Sequence, residues 1–189
     1  MAANLVLSDF SLDQPNLWAV DLGSIALVQG TTEYTLPSNV LMLLDCYVRK
    51  TVAGVQNDRI IYGVSRSEYS AYPNKQMQAY PTVFWADRVV PIQMSLYPTP
   101  DGNGPYTLFY YAVIQDDDAV LANSDTLTIP YRMQSVFADA LAAKLSLSYA
   151  PERFTQLDGM AQRSYARARA QENENVPLYI TPGLNSYYR

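Results

Sequence analysis

The sequence predicts an α+β protein: an antiparallel β-meander or sandwich of about six strands, then an antiparallel helical hairpin and an extended C-terminal arm. Three observations carry this. Before residue 129 the chain is rich in Tyr, Val, Thr and Pro and holds no long helical pattern. From Ile129 to Glu174 it turns to Ala, Leu, Gln and Arg with apolar residues every three or four positions. From Val176 onward two Pro and a Gly exclude a helix, although the segment is apolar. The predicted organisation is one structural domain overall. Residues 1–128 form a mainly β region with a short helix near 65–72, residues 129–175 the hairpin, and residues 176–189 the arm.

Taken in order, residues 1–18 are mixed, and Pro15 breaks any helix there. "LGSIALVQGTTEYTLP" predicts a β-hairpin. Ser24–Val28 is its first strand, Gln29–Thr32 its turn with Gly30 at the bend, and Glu33–Leu36 its return. Residues 40–50, "VLMLLDCYVRK", predict a central strand. "TVAGVQNDR" predicts a loop or hairpin turn, and residues 59–64 the next strand. Ser65 with Glu68 three residues later is a capping box, so one or two helical turns follow until Pro73. "PTVFWADR" and "VPIQMSLYP" are two further strands. In the second, Ile92, Met94 and Leu96 face one way and Gln93, Ser95 and Tyr97 the other. "TPDGNGP" is a dense turn, and residues 106–114 are the last strong strand. In the first long helix Met133, Phe137, Leu141 and Leu145 form one apolar row and Val136, Ala140, Ala143 and Leu147 the next. After Pro151, residues Leu157, Met160, Ala161, Ser164, Tyr165 and Ala168 form the facing stripe of a second helix.

Composition narrows the function. The net charge is −5, from 18 acidic and 13 basic residues, which argues against a general nucleic-acid binder, since affinity for phosphates needs cations. It suits a passage through which DNA slides without sticking. There is no His, which removes the commonest general base and metal ligand and every Ser-His-Asp or Cys-His arrangement. The lone Cys46, in an apolar run, reads as a small buried hydrophobe. No phosphate-binding glycine loop occurs. The N-terminus does not read as a signal peptide, and no run is long enough for a transmembrane helix. The expectation is a non-enzyme without cofactor or metal, made and assembled in a cytoplasm. Sixteen Tyr suit half-buried strands and protein interfaces.

Three groups of residues are candidates for interaction. Asp116, Asp117 and Asp118 form an acidic loop; consecutive residues do not converge on one ion, so it reads as a solvated or field-setting segment. Arg163, Arg167 and Arg169 on the second helix have three readings: a solvated face, ion pairs to a neighbouring subunit, or contact with DNA phosphates or an acidic partner. In the tail, Val176, Leu178, Tyr179, Ile180, Leu184, Tyr187 and Tyr188 are too apolar for a free end. They either fold back on their own domain or lie as an arm on another subunit, by an added-strand or groove mode.

The ordered set "QPNLW" (14–18), "VQGTTEYTLP" (28–37), "LLDCYVRK" (43–50), "SRSEYSAYPNKQ" (65–76), "PTVFWADR" (81–88), "LYPTPDG" (96–102) and "IPYRMQSVFADALAAKLSLSYAPER" (129–153) resembles the head-to-tail adaptor proteins of tailed bacteriophages. The resemblance covers most of the chain. It implies a virion structural protein that forms a homo-oligomeric ring of many copies, commonly twelve. One face would meet the portal protein and the other the tail or its nozzle. The ring would extend the DNA channel, with DNA passing without specific binding, and no membrane is involved. No residue of that family is catalytic. Related adaptors carry one or two substantial helices before the "LW" segment, where this chain has few residues. The alternative is a tail-associated receptor- or glycan-binding β-module, in which exposed Tyr and Trp stack on sugars.

Overall fold

The computed structural model describes residues 1–13, 19–115 and 129–171. They fall into two compact units, Met1–Pro130 and Tyr131–Arg189. The α+β class expected from the sequence holds, with seven strands and a mixed rather than purely antiparallel sheet.

The first unit opens with helix α1, Ala2–Asp13, where the sequence reading placed none. Pro15 lies beyond its end, and Val6, Leu7 and Phe10 are buried at the i, i+1, i+4 spacing of one helical face. Twelve residues give only one repeat of that pattern, too short to register as periodic. The strands are β1 Val20–Leu27, β2 Glu33–Thr35, β3 Val40–Val52, β4 Val55–Gly63, β5 Val83–Ala86, β6 Gln93–Tyr97 and β7 Tyr106–Ile114. Their order across the sheet is β1-β7-β3-β4-β5-β6-β2.

That order overturns the expected meander at two points. β1 and β2 are strands, but they do not pair as a hairpin: β1 pairs with β7 and β2 with β6, antiparallel in both cases. They are the two outermost strands, yet only Val28–Thr32 connects them. Six inter-strand steps in a flat sheet span about 29 Å, whereas the chain from Leu27 to Glu33 reaches at most about 21 Å. The sheet must therefore curl until its edges approach. β4 and β5 run parallel, Tyr62 opposite Val83 and Gly63 opposite Phe84. A parallel pair needs a crossover, and helix α2, Arg66–Ala71, lies in that connection.

Local chemistry explains the details. Ser65 accepts from the Glu68 N–H at 3.2 Å while Glu68 reaches back to the Ser65 N–H, so the predicted capping box starts α2. Lys75 donates to the carbonyls of Ser70 and Tyr72, which satisfies the other end of that helix. Residues 51–58, expected as a loop or hairpin turn, are the tip of a β3–β4 hairpin closed by Ala53 and Gly54, with the pairing running to Val52 and Val55. Both have positive φ (49° and 82°), the geometry of a two-residue type I′ turn. Arg49 grips Asp58 across this hairpin at 2.7 and 2.8 Å.

The core fills the inside of the curl. Val48, Leu108, Met94 and Leu96 are fully buried, with Cys46, Ile61, Phe84, Tyr106 and Tyr110 around them. The alternation read in β6 is realised: Ile92, Met94 and Leu96 point inward.

The second unit is the expected helical hairpin, helix α3 Tyr131–Tyr149 and helix α4 Phe154–Gln171, joined by a 3-10 turn at Pro151–Arg153. Its buried stripe on α3 is Met133, Val136, Ala143 and Ser146, whereas Leu145 and Leu147 are exposed. Each predicted row is thus realised in part: Met133 of the first and Val136 and Ala143 of the second are buried, while the C-terminal member of each, Leu145 and Leu147, is exposed. The Ser164 hydroxyl on α4 donates to Asp139 on α3.

Candidate functional site

Three surfaces stand out among the described residues. Among the described residues no group of three or more His, Cys, Asp or Glu could hold a metal ion.

The first surface is the outer face of the sheet. Pleating sends Leu108, Tyr110 and Ala112 of β7 inward, so Phe109 and Tyr111 face out. Register then places Leu22 of β1 opposite Tyr111, and Tyr47 of β3 opposite Phe109. Tyr47 in turn lies opposite Ile60 of β4. Tyr47 and Phe109 stack with ring centroids 5.1 Å apart, and the Arg49 guanidinium covers Phe109 at 4.6 Å. Ile60 and Tyr62 are 62% and 68% exposed, more than isolated surface apolars need. The Arg49 guanidinium beside Asp58 holds that carboxyl below its usual range.

The second surface is a cleft of ≈ 340 Å³ where β3 and β4 part. The β3–β4 ladder stops at Cys46↔Ile61. β4 then turns to β5, with the Val64 N–H donating to the Phe84 carbonyl at 2.8 Å. Meanwhile β3 stays with β7 through two register shifts, between Val40 and Met42 and between Leu43 and Cys46. Leu41, Leu43, Phe84 and Ile92 supply apolar walls, and Asp87 and Arg88 stand at the rim.

The third surface lies in the helical hairpin. A hollow of ≈ 210 Å³ is lined by Arg132, Ser135 and Val136 of α3 and by Ser164, Arg167 and Ala168 of α4. Two arginines and two serines line it, and the Ser164 hydroxyl is held by the Asp139 carboxylate.

The predicted residues are therefore only partly brought together. Arg167 joins Arg132, which sequence reasoning did not single out, because their meeting depends on the phase of two helices 35 positions apart. Arg163 is not part of that hollow; its Nε donates to the Gly159 carbonyl one turn back. Arg169 sits in the last turn of α4, where a cation suits the helix dipole. Asp116, Asp117 and Asp118, and the tail positions Val176, Leu178, Tyr179, Ile180, Leu184, Tyr187 and Tyr188, lie outside the described residues. Cys46 is buried as expected, and burial pushes its thiol up to about 12, so it is inert in the folded protein.

No curated relative matches the chain. A family profile described as "SU10 adaptor protein" matches residues 2–181, nearly the whole sequence and both structural units. The resemblance read from ordered sequence words thus rests on a match along the full chain, and the chain belongs to the SU10 adaptor protein family, adaptor proteins of tailed bacteriophages.

Proposed function

We propose that the protein forms an oligomeric ring between portal and tail that extends the DNA channel of the virion. The observation that carries this reading is the family match over residues 2–181, because it spans the curled sheet and the helical hairpin together. In this reading twelve copies stand side by side. One face of the ring meets the portal protein and the other the tail or nozzle protein. DNA passes through without specific binding, favoured by the net charge of −5. Asp116, Asp117 and Asp118 contribute to the repelling field, and Arg163 and Arg167 meet acidic groups of a neighbouring subunit. The tail residues Val176 to Tyr188 tie subunits together. The role is structural and needs no catalysis.

Stoichiometry in the particle tests this. Quantifying the chain against the portal protein in purified virions should give one copy per portal subunit or a simple ring ratio. A few copies per particle, or copies scaling with the tail tube, would overturn it. The exposed aromatic face around Tyr47, Phe109 and Tyr62 is the one observation favouring a glycan-binding module instead. Binding of the isolated protein to host-surface glycans, lost in Tyr62→Ala, would support that reading.

A further inference from the structure

The cleft between β3 and β5 has the form of a sheet with one strand left out. Between Val40 and Asp45, β3 pairs with β7 on one side at Val40, Met42 and Leu43, with register shifts between, and among the described residues has no ladder on the other. Across the cleft, β5 pairs with β4 only at Val83 and Phe84, so Ala86 also presents an edge on that side. A slot with backbone edges and apolar walls accepts an extended segment, with main-chain hydrogen bonds giving affinity and alternate side chains giving fit. We propose that the slot receives the C-terminal segment Val176–Ile180 of a second copy of this chain, added as a strand along the free edge of β3. This inference rests on the ring reading, since it supplies the tie between neighbouring subunits.

The occupant is argued from the sequence of that segment. Val176, Leu178 and Ile180 alternate with Pro177, Tyr179 and Thr181, so an extended chain would present three aliphatic side chains on one face. Backbone N–H and C=O groups alternate between the two edges of a strand with the same period. Pro177, which lacks an N–H, therefore falls on the edge opposite to that of Val176, Leu178 and Ile180. Those three can bond to β3 while the proline faces away, the position in which a strand tolerates it. Glu172 and Glu174 precede the segment, and the rim of the slot carries Arg88 beside Asp87. Val176 follows Gln171, the last residue of α4, by five positions, an extended reach of roughly 17 Å.

Parity gives a test that simple apolar contact would not pass. Full-length chains carrying Asp87→Cys are mixed with differently tagged full-length chains carrying Thr181→Cys or Asn175→Cys. They are assembled on the portal of the same virus and oxidised. Cys46 is buried and stays out of the reaction. The expected result is a disulfide between the two tagged species from one of the two donors, whichever end of the strand the direction of addition brings to the rim. Leu178→Pro in the donor chain should lower the yield by about tenfold, as expected for losing roughly one net backbone hydrogen bond. Tyr179→Pro, on the same edge as Pro177, should lose no more than Tyr179→Ala does, whereas Leu178→Pro should lose more than Leu178→Ala. Equal loss from both prolines relative to their alanine variants, a disulfide only within one chain, or rings that assemble without an inter-chain disulfide would overturn this inference while leaving the ring reading intact. Failure of the unmodified chain to assemble on the portal would overturn both.

Discussion

Gly23 offers a sharp test of the curled sheet, because the usual expectation for its substitution has the opposite sign. Replacing a strand glycine by Ala ordinarily stabilises by about 0.5–1 kcal/mol, through reduced freedom of the unfolded chain. Gly23 lies directly opposite Tyr110 in the β1–β7 ladder. The Tyr110 ring crosses over it: a Cβ at position 23 would overlap Tyr110 Cζ and sit 2.5 Å from its hydroxyl oxygen. Tyr110 is 4% exposed and packed in the core, so its ring cannot swing into solvent. Forcing a methyl group into such packing costs roughly 1–3 kcal/mol. The net effect of Gly23→Ala is then a loss of about 0.5–2 kcal/mol. With a urea slope of about 2 kcal/mol/M, the unfolding midpoint should fall by roughly 0.3–1 M at unchanged slope. In a Tyr110→Leu background, Gly23→Ala should become neutral or stabilising, since the two sites are coupled only through the ring. A midpoint that rises on Gly23→Ala alone, or an equal effect in both backgrounds, would refute the placement of Tyr110 over β1.

Three further outcomes follow from the same packing. Leu108→Ala, fully buried between Ile25 and Val48, should destabilise by about 2–5 kcal/mol, whereas Thr107→Ala on the outer face of the same strand should cost under about 1 kcal/mol; equal effects in chemical denaturation would mean the strand faces are misassigned. The Tyr106 hydroxyl is pushed up to about 12 by burial and by its hydrogen bond to Asp101. Because this folded value lies above the unfolded value of 10.0, its contribution is fully present below pH 10 and is lost as pH rises through about 12. Thermal melts should therefore fall over that window, less steeply in Tyr106→Phe. Cys46 should resist thiol reagents at pH 8 in the native chain and react at the rate of β-unit unfolding; fast labelling of the native protein would contradict its burial.

Elements governed by near neighbours were legible in the sequence. The Ser65–Glu68 capping box, the inward alternation of Ile92, Met94 and Leu96, and the helical hairpin all depend on spacings of two to four residues. What escaped depends on distant partners. Gln29–Thr32 looks like a hairpin turn, yet its flanking strands pair with β7 and β6, some 80–90 and 60 positions away. Residues 55–58 are exposed and polar enough to resemble a loop or turn, and they become strand because Ala53–Gly54 closes a tight turn and Arg49 holds Asp58. The candidate surfaces followed the same division. The apolar tail pattern was visible in the sequence, but the slot at β3 was not, because it exists only where β4 leaves β3 for a parallel partner. Arg167 was visible, and its companion Arg132 was not.

The most direct test of the ring reading is the mass of the purified full-length chain in solution, alone and then mixed with the portal of the same virus. The account predicts that mixing yields a defined particle in which the chain has added to the portal in one stoichiometric layer. A chain that never associates with the portal at any concentration would contradict the account and shift the choice to the glycan-binding module.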